Sequence, residues 1–194
     1  TSIDQFRQEF ECEFLGSSNT LIHPSVLSKL VWYDPLKVMH DVKIYKEPVK
    51  GHVYGIAVDV SEGIGLDASS FTVVDCSIMP YEVVATYNNA YMSELLYPTL
   101  LANVGRYYND APILVEINVG TQVVNILNQD LEYTNIVYTK TSGRKGTLLA
   151  GSIGGAQSRM GIKTTKITKR IGCANLKAMI ENNQLILNDF DLIQ

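Results

Sequence analysis

The stretch Gly55-Ile-Ala-Val-Asp59 decides the fold class, because it sets one carboxylate inside an otherwise apolar β-strand. A second stretch, Ile113-Leu-Val-Glu116, repeats the same pattern. Continuous apolar runs of this kind are typical of strands covered on both faces in the centre of an α/β sheet. The two stretches are therefore predicted to be central strands, each carrying one acid, and the acids can converge if the strands are neighbours.

The two acids point to a metal ion. A buried carboxylate without a partner costs several kcal/mol or takes up a proton. A divalent cation removes this conflict, because hard cations prefer oxygen ligands. We predict a metal site formed by Asp59 and Glu116 at the carboxyl ends of their strands, with Asp67 within reach of the same ion. The alternative is that backbone amides or a lysine satisfy each acid separately, and that Asp67 caps a turn.

The remaining patterns predict an α/β layer fold with a mixed sheet flanked by helices. Short turns between three successive strands favour an antiparallel meander. Residues 1–50 are irregular in pattern and are interpreted as a connector that packs on a main domain of residues 51–194. The predicted strands are Val53–Val60, Phe71–Ser77, Glu82–Asn88, Pro112–Ile117, Ile136–Tyr138 and Gln184–Leu187, and the main helices are Pro98–Tyr108, Thr121–Gln129 and Gly172–Asn182.

The composition excludes several classes of protein. The chain has 194 residues, of which 46% are apolar and 19% charged, and this supports one or two domains with a core. No apolar run reaches the roughly 20 residues of a membrane helix, so we expect no membrane partner. Three dispersed cysteines exclude a zinc ribbon and a disulfide framework, and they fit a reducing compartment. The chain contains no phosphate-binding loop motif, so we expect no ATP hydrolysis.

Positive charge is concentrated in one part of an otherwise acidic chain. The net charge is −4, yet the segment from Tyr133 to Ile180 contains nine bases and no acid. Such a block predicts a site for a polyanion, the alternative being a solvated loop. The bases expected to bind this polyanion are Arg144 and Lys145, on the glycine-rich loop Ser142–Gly161, and Lys163, Lys166, Lys169 and Arg170.

Paired acids beside a basic block indicate phosphodiester chemistry. Divalent ions would activate a water molecule and stabilise the leaving oxygen, while the bases neutralise phosphates. The segments Gly55–Gly63, Gly65-Leu-Asp67 and Ile113–Asn118 together resemble the C-terminal nuclease domain of tailed-bacteriophage terminase large subunits, of the myovirus type. Phe6–Cys12 and Lys166–Arg170 match the same family, so the resemblance covers nearly the whole chain.

The resemblance implies an RNase H-like fold and a Mg²⁺-dependent DNA endonuclease, with Mn²⁺ as a substitute and a two-metal mechanism. This nuclease cuts concatemeric double-stranded DNA when head filling starts and ends, at the viral prohead in the host cell cytoplasm. The implied partners are the portal ring, the small terminase subunit and the ATPase domain of the same protein, from which residues 1–50 lead. Asp59 and Glu116 match two of the family's three metal-binding acids, and we expect the third beyond Gln194.

Three alternatives are compatible with the same residues. An ATPase or sugar kinase on a related sheet would use Asp59 and the following glycine turn to hold Mg-nucleotide. A non-catalytic DNA-binding or docking module would use the acids structurally. A resolvase or integrase would share the fold and the acids.

Overall fold

The computed structural model describes residues 21–61, 65, 67–140, 148–149 and 158–193. Their helices are α1 (Pro24–Leu27), α2 (Tyr97–Tyr107), α3 (Thr121–Asn125, continued by a π-helical turn, Ile126–Asp130) and α4 (Lys166–Glu181), with a 3-10 turn at Phe190–Leu192. The strands are β1 (Lys37–Met39), β2 (Val42–Ile44), β3 (Tyr54–Asp59), β4 (Ser69–Asp75), β5 (Tyr81–Asn89), β6 (Ile113–Val115), β7 (Tyr138–Lys140), β8 (Leu148–Leu149), β9 (Ser158–Met160) and β10 (Leu185–Ile186).

One sheet organises the described part of the chain. Its strand order is β1-β2-β5-β4-β3-β6, and β10 pairs with β5. Strands β3, β4 and β5 form an antiparallel meander, whereas β6 runs parallel to β3 after the crossover through α2. The predicted α/β fold with a mixed sheet flanked by helices is therefore confirmed. A small second sheet has the order β8-β7-β9.

The core lies on one face of the main sheet. Along β3, Tyr54, Ile56 and Val58 are buried, whereas Ala57 and Asp59 are exposed. The buried side packs with Leu101 of α2, and Val123 of α3 belongs to the same cluster. The prediction that β3 is covered on both faces was wrong. Its apolar run reflects small side chains such as Ala57 on the open face, and Asp59 keeps its hydration.

Three other features differ from the sequence-based expectations. Helix α4 begins at Lys166, six residues earlier than predicted, because Thr165 and Thr168 form a capping box. Strands β1 and β2 lie within the segment interpreted as a connector, and β2 pairs with β5. Strand β9 lies within the predicted glycine-rich loop Ser142–Gly161. The boundary near residue 50 stays a prediction.

No helix in the described ranges has the length and apolar character that crossing a bilayer requires.

Candidate active site

A cleft of about 560 Å³ separates α4 from the open face of the main sheet. The sheet supplies its floor, the first three turns of α4 supply one wall, and the segment before α4 closes one end. The lining residues are Ala57, Val58, Asp59, Ser70, Phe71, Thr72, Leu114, Glu116, Ile162, Thr164, Lys169, Gly172, Cys173 and Leu176.

Asp59 and Glu116 meet in this cleft because of strand register. In the parallel pair β3–β6, Val58 lies opposite Val115, and each acid is the next residue along its strand. The Glu116 amide donates to the Val58 carbonyl at 2.9 Å, which extends the pairing to the acids. Side chains alternate along a strand, so both acids share the face of Ala57 and its register partner Leu114. The structure thus brings the two predicted acids together at the carboxyl ends of adjacent strands.

Neither carboxylate is engaged by another side chain. Asp59 is exposed and Glu116 half-buried, and no hydrogen bond or ion pair among the described residues involves either side chain. The alternative, in which a backbone amide or a lysine satisfies each acid separately, therefore has no such partner within the described ranges. Two unpaired negative charges on one face favour a cation between them.

Tyr97 supports the strand floor beneath the acids. Its ring is fully buried and stacks with Phe71, and its hydroxyl donates to the Ser70 carbonyl at 2.7 Å. Ser70 is the register partner of Asp59 across β3 and β4. Burial, followed by the neighbouring Tyr87 and the Asp59 charge, raises the pKa of Tyr97 well above its ordinary value. Tyr97 therefore stays a neutral hydrogen-bond donor and holds β4 in place.

Two glycines fix the backbone on either side of Glu116. A Cβ at Gly120 would lie 2.6 Å from the Glu116 carbonyl oxygen, and one at Gly161 would lie 2.5 Å from the Val115 carbonyl oxygen. Gly161 also has a φ of +74°, which disfavours other residues. The sequence-based prediction missed both positions. Their signal was indirect, since a lone glycine near a strand often marks a close backbone approach.

The segment after Gly161 adds a further strand-like ladder to β6. The Ile162 amide donates to the Val115 carbonyl at 2.8 Å, and the Ile117 amide donates to the Ile162 carbonyl at 2.9 Å. The Asn118 side chain donates to the Thr164 carbonyl at 3.2 Å. These bonds fix the peptide units on both sides of Glu116. The bonded segment then continues directly into α4.

Asp67 is not brought into the cleft. It is exposed and is absent from the cleft lining. Within the described ranges, no group of three or more His, Cys, Asp or Glu residues is close enough to hold a metal ion. The structure therefore places two carboxylates, Asp59 and Glu116, in the cleft. A metal-binding role for Asp67 stays a prediction.

Four of the predicted basic residues lie on the segment that leads into α4 and on its first turns, and they are called the basic rim below. Lys169 lines the cleft itself, whereas Lys163, Lys166 and Arg170 are exposed on the segment before α4 and on its first turns. No ion pair with a described residue engages any of the four. Their charges are therefore open to an anionic ligand. Arg144 and Lys145 lie outside the described residues.

The donor set fits magnesium. Mg²⁺ binds through one or two carboxylates, keeps several waters and takes its other ligands from substrate phosphates. Asp59 and Glu116 supply the carboxylates, and the cleft beside them has room for water and phosphate. The residues present are thus compatible with a divalent ion that also contacts a bound substrate.

No protein-family model matches the chain. Among solved structures, the large terminase nuclease from thermophilic phage G20c with bound magnesium aligns over 92% of this chain and 79% of that chain. The TM-score is 0.65 at 15% sequence identity. This chain has the fold of a phage terminase nuclease. The Thermus phage P74-26 large terminase nuclease domain agrees, with a TM-score of 0.58 and 14% identity over 87% of this chain and 72% of that chain.

The terminase nuclease fold confirms the RNase H-like architecture that the sequence predicted. G20c terminase nuclease structures with bound cobalt and zinc are similar as well, at TM-scores of 0.64 and 0.61. At 17% identity these likenesses establish the fold, and the roles of individual residues rest on the geometry of this chain.

Proposed function

We propose that this chain is a metal-dependent endonuclease of a viral DNA-packaging motor. It would cut concatemeric double-stranded DNA at the start and the end of head filling, at the prohead in the host cytoplasm. The observation that carries the proposal is the meeting of Asp59 and Glu116, both unpaired among the described residues, in one cleft with a basic rim. The phage terminase nuclease fold supports it.

In this proposal Asp59 and Glu116 hold Mg²⁺, with Mn²⁺ as a substitute. The bound metal supplies activation of a water nucleophile and charge stabilisation of the leaving oxygen, in a two-metal arrangement. The protein's own contribution is positional, because adjacent strand ends fix the two carboxylates side by side. A third carboxylate would complete the ligand set, and Asp67, which lies outside the cleft lining, is the candidate for it.

The basic rim holds the DNA backbone. Lys163, Lys166 and Arg170 lie outside the cleft and are suited to phosphates flanking the cut, whereas Lys169 is suited to the phosphate within it. Contacts to phosphates carry no sequence information, so we expect weak sequence preference. Arg144 and Lys145 would close over the DNA from the glycine-rich loop. The portal ring, the small terminase subunit and the ATPase domain are the proposed protein partners.

Two isosteric substitutions test the metal assignment. Asp59→Asn and Glu116→Gln should each abolish Mn²⁺ binding measured by calorimetry and Mg²⁺-dependent cleavage of supercoiled plasmid. Asp130→Asn, which alters an exposed acid at the far end of α3, is the matched control and should leave both unchanged. Normal cation binding and cleavage in either cleft variant would refute the assignment.

A second candidate is a non-catalytic DNA-binding module. The observation that favours it is that only two acids line the cleft, with no third metal-binding side chain near them in the described part of the chain. It predicts DNA binding that neither Mg²⁺ nor Mn²⁺ alters, and no cleavage in the presence of either ion.

A further inference from the structure

Helix α4 borders the cleft, and its packing contacts with the described part of the chain are concentrated near its C-terminal end. Ile180, which is 3% exposed, packs with Val83 and Leu187 in a small second cluster. The Lys177 ammonium donates to the Leu21 carbonyl at 2.9 Å. Towards the N-terminal end, Ile167 is 65% exposed and Ile171 53% exposed. The first turns of α4 therefore stand away from the sheet, and the space between them is the cleft.

Small side chains on both sides keep this space open. The floor carries Ala57, Ser70 and Thr72, which project from the open face of β3 and β4. The wall carries Gly172 and Cys173 in the interior of α4. Larger side chains on the floor or the wall would fill the cleft.

Gly172 has no structural reason of its own to be glycine. Glycine in a helix interior destabilises the helix relative to alanine. Gly120 and Gly161 are each forced by a backbone atom closer than 3 Å to the missing Cβ, whereas a Cβ at Gly172 would meet nothing within 4 Å. Gly172 therefore lowers the stability of α4 at a cleft-lining position where no close packing contact requires glycine.

The cleft wall on α4 has a positively charged end and an apolar end. Lys169, Gly172, Cys173 and Leu176 recur at the spacing of one helix face. The cationic end of this stripe shares the cleft with Asp59 and Glu116, and its other end presents apolar atoms. A sugar–phosphate strand has the matching character, with an anionic phosphate and a less polar deoxyribose.

We propose that these small residues form a slot for one strand of the DNA substrate, in which Gly172 sets the clearance and Lys169 contacts the phosphate beside the acids. The inference rests on the proposed nuclease function and specifies how the substrate enters the site. The size of the side chain at position 172 then determines whether a DNA strand can enter the cleft, because a larger side chain would occupy the volume of the strand.

Filling the slot from its two sides tests the inference. In the full chain, Gly172→Leu fills it from the wall and Ala57→Leu from the floor. Ala174→Leu is the matched control, since Ala174 is an exposed residue of the same helix that does not line the cleft.

Two measurements are made on each variant. Affinity for a short DNA duplex, with Ca²⁺ in place of Mg²⁺, should fall about tenfold in the two filled variants. Plasmid cleavage with Mg²⁺ should fall about 100-fold in kcat/KM, as expected when a strand is misplaced by the width of a side chain. Ala174→Leu should match the parent in both measurements, and Mn²⁺ binding should persist in all three variants.

The outcomes separate the two proposals. Unchanged DNA affinity and cleavage in both Gly172→Leu and Ala57→Leu would overturn the slot while leaving the nuclease assignment in place. Loss of function in Ala174→Leu equal to that in Gly172→Leu would also overturn it, because the effect would then belong to the helix. Absence of divalent-cation binding in the parent chain would overturn the proposed function itself.

Discussion

The Thr139 hydroxyl donates a hydrogen bond to the Gly161 carbonyl at 2.7 Å. Thr139 is fully buried in β7, and Gly161 lies against the backbone that leads into Glu116. The contact therefore joins the small three-stranded sheet to the acidic strand end, although 22 residues separate its two partners in the chain. This hydrogen bond therefore couples the stability of the candidate site to the small sheet, whose described strands contain no acidic residue.

We expect Thr139→Val to destabilise the protein by about 1–3 kcal/mol, because the buried Gly161 carbonyl loses its side-chain donor. Chemical unfolding monitored by circular dichroism measures the change. Thr139→Ser keeps the hydroxyl and should recover most of the stability. Equal loss in both variants would show that the hydrogen bond from the hydroxyl to the Gly161 carbonyl does not account for the effect.

Substitution of Gly161 should be more damaging. Gly161→Ala places a Cβ 2.5 Å from the Val115 carbonyl oxygen at a φ of +74°. We expect a loss of about 2 kcal/mol or more in unfolding free energy, together with weaker Mn²⁺ binding, since the Glu116 backbone must shift. Gly51→Ala is the control, because Gly51 has a φ of +85° with nothing within 4 Å of its missing Cβ. Equal losses at the two positions would contradict the close-approach argument.

Acid sensitivity should trace to Asp189, a buried carboxylate that does not line the cleft. Burial pushes the pKa of the Asp189 carboxyl upward. Hydrogen bonds from the Thr86 hydroxyl and the Asp191 amide, together with the Lys43 charge, outweigh burial and hold the pKa below its ordinary value of 3.8. A lowered folded-state pKa contributes stability that is present above the unfolded value and lost as the pH falls through the folded value.

The Asp189→Asn variant tests this assignment. We expect it to be less stable than the parent by about 2 kcal/mol at neutral pH and to lose less stability on acidification. Urea unfolding between neutral pH and pH values below the ordinary carboxyl pKa measures both effects. A parent-like loss of stability in acid would show that other carboxyls govern the transition.

DNA binding should depend on salt through the rim of α4. Lys166→Ala combined with Arg170→Ala should reduce the slope of log affinity against log salt by about 0.9 for each phosphate that the variant no longer neutralises. Lys50→Ala, an exposed lysine beyond the opposite end of β3, is the control and should leave the slope unchanged. Fluorescence anisotropy with a labelled duplex at several salt concentrations measures it. An unaltered slope in the double variant would show that these two residues do not bind DNA phosphates.

Much of the sheet could be predicted because its strands carry strong local signals. The meander from β3 to β5 follows from apolar runs separated by short turns, and the helix that became α2 follows from Pro98 and the apolar spacing behind it. The convergence of Asp59 and Glu116 required only that two similar strands be neighbours. These features depend on residues close in sequence or on one general rule of parallel sheets.

The features that escaped prediction depend on contacts between distant residues. Ala57 and Leu114 are apolar in sequence, and only the position of α4 shows that they face a cleft. The early start of α4 was missed because Ile167 and Ile171 are exposed and give no signal of a buried face. The close approach of Gly161 to Val115 arises only when the two segments pair.

The two hydrogen bonds that Ile162 makes to Val115 and Ile117 have a mechanical consequence. Strand β9 ends two residues before Ile162, so only Gly161 separates it from the peptide that brackets Glu116. A protein that grips β9 and pulls it along its axis would transmit that tension to the carboxylate without entering the cleft. The Glu116 end of the candidate site is in this sense connected to the small second sheet by a short span of backbone.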